Sequence, residues 1–473
     1  MSNAATSQPA VCHRPDHETG SAFRSFGPAA GDLIRAGSRR WFLQAGLAGF
    51  AGLSSATLAQ AMESATGANS GVAGSGPKKS VILFWLSGGP SHIDMWDPKP
   101  DAPSEIRGPF RSIETKVPGL RLSEHLPLQA SIADKISFVR SVDCKTSNHT
   151  PITMQAGNPY ARRTDNSRDG DGWPSMGSVA ARYKGSNHPD MPAFAALAPS
   201  MVADVYGAGQ LGEKYAPVEG LKLVGKFGLP EGVQVDRLQN REALRSEFDR
   251  FRKDLDRATT LEQTDRFTRQ AYEMVAGGYV QRAFDMSGES DATRDLYGRN
   301  SIGEKAILAR RLIEAGTTFT VVSGSWGYFD NHGDHIPPWG GIVSGLKPLI
   351  PQADRAFYGL VTDLEQRGLL DSTLVIMMGE FGRSPALNVG AGRDHWLNCM
   401  SLIMAGGGLR HGQAVGATDS RGYDVKDGLV RPQDLAATVF RHLDIDLGTH
   451  WVNPSGRPTP IVVDGGRPIP ELT

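Results

Sequence analysis

Five short runs rich in apolar, β-branched and aromatic residues, separated by helical patterns, constrain this chain more than any other feature. They are Ser80–Leu86, Ile136–Val142, Thr318–Val322, Thr373–Met378 and Ser401–Ala405. Runs that are mostly apolar, the first of them continuously so, suit strands covered on both faces, and such strands belong mainly to parallel sheets. Helical spacing fills part of the intervals, over Ser301–Ala315 and Gln352–Arg367. Each of these closes on a glycine, Gly316 or Gly368, as a left-handed helix end favours. Strand alternating with helix predicts an α/β fold built on an open, doubly wound, mostly parallel sheet. One stretch departs from the pattern. Asp236–Arg257 is dense in charge and carries Leu238, Leu244, Phe248, Phe251 and Leu255 on one side at helical spacing. With Gln263–Phe284 it predicts a helical insertion over about 236–300, covering one side of the sheet.

The N-terminus reads as an address. Ser38-Arg39-Arg40-Trp41-Phe42-Leu43 precedes an apolar run ending at Ala59-Gln60-Ala61, which is the pattern of a twin-arginine export signal with an A-x-A cleavage site. The run is interrupted by Gln44, Ser54, Ser55 and glycines, too polar for a stable membrane span once cleavage has occurred. The expected organisation is a signal over 1–61, a Gly/Ser/Ala-rich linker over 62–79 and one large α/β domain over 80–473, delivered to the periplasm or secreted. Lys and Arg number 50 against 51 Asp and Glu, so an electrostatic grip on nucleic acid is not expected. The 56 glycines and 30 prolines point to many ordered loops, where sites collect. Cys12, Cys144 and Cys399 form no C-x-x-C pair and no disulfide framework.

In a doubly wound sheet, ligands bind outside the carboxyl ends of the strands. Four strand-following loops hold groups suited to chemistry. The first carries Ser87, His92, Asp94 and Asp97; the second Ser147, Asn148, His149 and Thr150; the third Asp330-Asn331-His332-Gly333-Asp334-His335; the fourth Glu380 and Arg383, with Asp394-His395 close behind. Mixed Asp, Glu and His side chains suit Zn²⁺ or Mn²⁺ better than Ca²⁺, which prefers all-oxygen sites. The candidate ligands are Asp330, His332, Glu380 and His395, with Asp94, His335 and Asp394 beside them. Plainer roles compete. The Asp330–His335 residues can close turns, Arg383 can simply pair with Glu380, and Asn-His-Thr-Pro makes a good turn by itself.

These motifs resemble a known family. Leu86-Ser87-Gly88-Gly89-Pro90-Ser91-His92-Ile93-Asp94, Asn148-His149, Asp330-Asn331-His332-Gly333, Gly379-Glu380-Phe381-Gly382-Arg383-Ser384-Pro385 and Gly392-Arg393-Asp394-His395-Trp396 are similar to the bacterial DUF1501 family, from about Ser80 to the C-terminus. The resemblance implies an alkaline-phosphatase-like or sulfatase-like fold and a divalent-metal-dependent hydrolase of phosphate or sulfate esters, with small-molecule or glycan esters as substrates. It implies a nucleophile at the start of the helix after the second strand, where Ser147 and Thr150 stand, with Arg383 or His149 holding the anionic group. Three departures matter. Ser87 occupies the place of a metal-binding aspartate, Phe381 follows Glu380 where a histidine is usual, and Cys144-Lys145-Thr146-Ser147 is not a sulfatase signature. The first two favour a rival reading, a secreted binding or scaffold protein that keeps the fold without turnover.

Overall fold

A computed structural model of the chain describes residues 78–146, 149–161, 172–199, 204–223, 278–324 and 328–473. Its centre is an eight-stranded sheet of β1 (Ser80–Trp85), β2 (Ile136–Val142), β3 (Phe194–Leu197), β4 (Val218–Glu219), β5 (Phe319–Ser323), β6 (Thr373–Met378), β7 (Met400–Gly406) and β8 (Gln413–Val415). The spatial order is β8-β2-β7-β6-β1-β5-β3-β4. Every pairing is parallel except those of β7, which runs antiparallel to both β2 and β6. The expected mostly parallel α/β sheet is therefore present, and the five apolar runs supply five of its strands, including the four central ones.

Alternate residues of β1 serve opposite faces, as a pleated strand requires. Ile82, Phe84 and Leu86 pack with Ala306, Ile307, Phe357 and Leu360, from helices α1 (Ser301–Ala315) and α2 (Ile350–Gln366). Val81, Leu83 and Trp85 pack with Leu435, Val439 and Phe440 of α3 (Pro432–His442). The Asn300 side chain caps the start of α1 and Gly316 ends it at φ 109°, so the local signals act as expected.

The address, the linker as far as residue 77 and most of the expected insertion, including Asp236–Arg257, lie outside the described residues. The described part of that region holds two short helices, Tyr279–Phe284 and Asp291–Tyr297. Among the described residues no helix is long and apolar enough to cross a membrane.

Candidate metal centre

Register brings the loops together. Trp85, Ser323 and Met378 stand side by side at the ends of the three adjacent parallel strands, so Ser87 and Glu380, each two residues further on, emerge at one level. The Phe329 N–H donates to Ser87 O at 2.9 Å, which draws the loop carrying Asp330 across the end of β1. Gly88 makes that approach possible: it has φ 110°, and a Cβ there would lie 2.4 Å from Asp330 N. His395 arrives from the other direction. It precedes antiparallel β7 and pairs with Arg383 in a two-residue antiparallel ladder. His149 follows β2.

Four side chains converge as a result. His149, Asp330, His332 and His395 each offer one donor atom, all within 4.8 Å of one another. His149 Nε2 lies 3.2 Å from Asp330 Oδ2, and Asp330 Oδ1 lies 3.1 Å from His332 Nε2 and 3.3 Å from His395 Nε2. The two Nε2 atoms of His332 and His395 are 2.8 Å apart. Two carboxylates stand behind the imidazoles. Glu380 Oε1 is 3.2 Å from His149 Nδ1 and accepts the Gly88 N–H at 2.8 Å, while Asp394 Oδ1 is 3.3 Å from His332 Nδ1. Carboxylates in that position fix ring orientation and raise the basicity of the opposite nitrogen. Phe381, fully buried, lies with its ring centroid 4.2 Å from that of His395 and 5.2 Å from that of His149.

The electrostatics follow from crowding. Burial disfavours a charged His149, but Asp330 and Glu380 outweigh it and raise its pKa to about 9. Burial pushes Asp330 up, yet His149, His395 and Arg383 more than offset this and hold it well below the ordinary carboxylate range. His332 is lowered, first by burial and then by Arg383. Three imidazoles and a carboxylate form a nitrogen-rich set that suits Zn²⁺, which takes such ligands at about 2.0–2.2 Å. Mn²⁺ is a second choice, and an all-oxygen Ca²⁺ cage is not what these residues build. Glu380 Oε2 is buried with no hydrogen-bond partner among the described residues, a state that a bound cation or its water would relieve.

Several expected assignments change. Glu380 and Asp394 stand behind histidines instead of joining the four converging donors, and His149, expected to hold an anion, is one of those donors. Asp94 is not at the centre. Its oxygens accept from Arg393 Nε at 2.6 Å and Nη2 at 3.1 Å in a fully buried pair. His335 is exposed, lies against Gly333 and Gly390, and is likewise not among the four. Arg383 is only 1% exposed. Its guanidinium donates to Gly89 O, Arg393 O, Gly88 O and Asp330, so it holds the protein's own loops and has at most one N–H left for a substrate. Thr150 is buried and its Oγ1 accepts the Ile152 N–H at 3.3 Å, at the start of a short helix; Ser147 lies outside the described residues. Phe381 stands out in sequence only as a departure from a usual histidine, not as the ring that packs against His149 and His395; Asp204, beyond β3, and Lys305 of α1, both buried, carry no such mark. A lone carboxylate within Val202–Tyr206 was the available signal for Asp204.

Residues 78–473 match the model of the family described as "Protein of unknown function (DUF1501)". The chain belongs to that family. No curated protein matches its sequence. Among solved structures it is similar to a sulfatase from Pseudoalteromonas sp., at 13% identity and TM-score 0.39, covering 88% of this chain and 76% of that one. It is also similar to the lipoteichoic acid synthase LtaP from Listeria monocytogenes, at 11% identity and TM-score 0.36, covering 78% and 73%. A phosphonate monoester hydrolase from Silicibacter pomeroyi is similar at 10% identity and TM-score 0.33, covering 83% and 76%. These are distant likenesses and carry no residue roles.

Proposed function

We propose that this DUF1501 protein is an exported, alkaline-phosphatase-like metalloenzyme that hydrolyses phosphate or sulfate esters, glycan esters among them. The observation that carries the proposal is the convergence of His149, Asp330, His332 and His395 at the carboxyl ends of a parallel sheet. Those four side chains would hold one divalent cation. Such a cation supplies positive charge opposite the oxygens that gain electron density as the ester bond breaks. The chain's own residues prepare the place. Glu380 and Asp394 orient His149 and His332, Arg383 anchors Asp330, and Phe381 keeps water from one side of two rings. Export rests on Ser38–Leu43 and the apolar run behind it.

The experiment is a metal analysis of the purified protein, beside a panel of aryl phosphates, phosphodiesters and aryl sulfates assayed with Zn²⁺, Mn²⁺ and Ca²⁺. One equivalent of transition metal, with turnover abolished by His395→Ala, is the expected result. Less than about a tenth of an equivalent of every divalent metal would remove the proposal. The second reading, a metal-binding protein without turnover, is favoured by the burial of Arg383, which leaves its guanidinium committed to the protein's own loops. Metal bound without hydrolysis of any ester would establish it.

A further inference from the structure

Beside the four-ligand cluster lies a second buried polar group that the reading above leaves unused. Ser87 lies two residues past the central strand and is 1% exposed, and the turn behind it is set by Gly88 and Gly89 at φ 110° and 81°. Asp204, beyond the end of β3, is 0% exposed. The hydroxyls of Ser87 and Ser323 interact with its carboxylate, although neither Asp204 oxygen completes a hydrogen bond of ordinary geometry. Lys305 supplies the opposing charge, its Nζ held by Ser323 O at 2.7 Å and Gly324 O at 2.8 Å. A carboxylate kept dry and imperfectly satisfied costs stability, so a purely structural role explains it poorly.

The same serine borders a cavity. Leu86, Ser87, Ile302, Gly324, Phe329 and Gln352 help to line a small pocket of about 50 Å³ between the starts of α1 and α2. The pocket adjoins the metal centre through the backbone. Ser87 precedes Gly88, whose N–H meets Glu380, and Phe329 precedes Asp330.

We propose that Ser87 is an activated nucleophile with Asp204 as its general base, the apolar pocket receiving the ester's leaving group. This rests on the hydrolase reading and replaces Thr150 and Ser147 as nucleophile. In the first step the Ser87 Oγ bonds to phosphorus or sulfur and the bond from that atom to the leaving oxygen breaks. The serine proton passes to Asp204 and from there to the leaving oxygen. Water then attacks the Ser87 ester, giving its proton to Asp204, which returns it to Oγ as the serine departs. Burial and Glu380 raise Asp204 to about 6, against the interactions with Ser87 and Ser323, so it is largely ionised at neutral pH yet more basic than an ordinary aspartate.

Labelling with diisopropyl fluorophosphate tests the assignment without requiring turnover. Attack by Oγ forms a bond to phosphorus and expels fluoride. The metal-loaded protein is expected to take one adduct, mapped by peptide mass spectrometry to Ser87. Asp204→Asn is expected to slow labelling by about 100-fold, the usual scale of general-base assistance. Ser87→Ala is expected to abolish the adduct, with circular dichroism and metal content unchanged as evidence of folding; should Ser87→Ala not fold, Ser87→Gly serves in its place. No adduct on the folded protein, or an adduct on Ser147 or Thr150, overturns the assignment. If Ser87 is labelled but no ester is hydrolysed, the hydrolase reading fails alone; turnover without label at Ser87 sinks the nucleophile alone.

Discussion

Arg383→Met separates a scaffold role for this arginine from the anion-holding role its motif suggested. The side chain is fully buried and its donors reach Gly88 O, Gly89 O, Arg393 O and Asp330. Removing one partner of a buried ion pair costs about 3–5 kcal/mol, and each carbonyl left without a donor adds about 1–3 kcal/mol unless water enters. A loss of at least about 4 kcal/mol is therefore expected, a large share of the roughly 5–15 kcal/mol that keeps a typical protein folded. With a urea slope of about 3 kcal/mol per molar or more, the unfolding midpoint should fall by about 1 M. Arg383→Lys keeps a charge but cannot span four acceptors from a flexible stem, so it should recover only part of the loss. Both variants should also bind metal more weakly, because Asp330 loses its anchor. A variant with the parental midpoint and metal content, but a raised KM for an anionic ester, would refute the scaffold argument and restore the substrate role.

Three further outcomes are expected. Metal affinity should rise about tenfold per pH unit from 7 to about 9 and then level off, because His149 carries a proton up to about 9 when no cation is bound and only the neutral imidazole can be a ligand; competition with a fluorescent chelator reads this, and a flat profile contradicts it. Glu380→Gln should weaken metal binding by about 10- to 100-fold and move that plateau to lower pH, as His149 loses one of its two carboxylate neighbours. Asp354, buried and accepting the N–H groups of Leu128 and Gln129, is raised to about 6 by burial; its protonated form is favoured by folding, so its contribution is present below the unfolded value and is lost as pH rises through about 6. Asp354→Asn should flatten that decline, by at most about 3 kcal/mol between pH 4 and 7, as read from urea midpoints at the two pH values.

The sequence by itself determined the strands and the loops that matter. β2 and β6 stand where their apolar runs stand, because a strand buried on both faces needs a mostly apolar sequence, and that requirement is local. The same logic put His149, Asp330, His332 and His395 in strand-end loops. It was blind to β3, β4 and β8, which are only 4, 2 and 3 residues long, too short for a periodic signal. Tertiary structure decided everything that depends on distance between loops. Asp94 and Asp330 look alike in sequence, yet Arg393 takes the first and three imidazoles surround the second. Arg383 reads as a substrate clamp until the Gly88 turn delivers two carbonyls and Asp330 to its guanidinium. Side-chain chemistry is written residue by residue, whereas the partner that neutralises, orients or buries each group arrives from strands roughly 50 to 300 positions away, and only the register of the sheet brings it there.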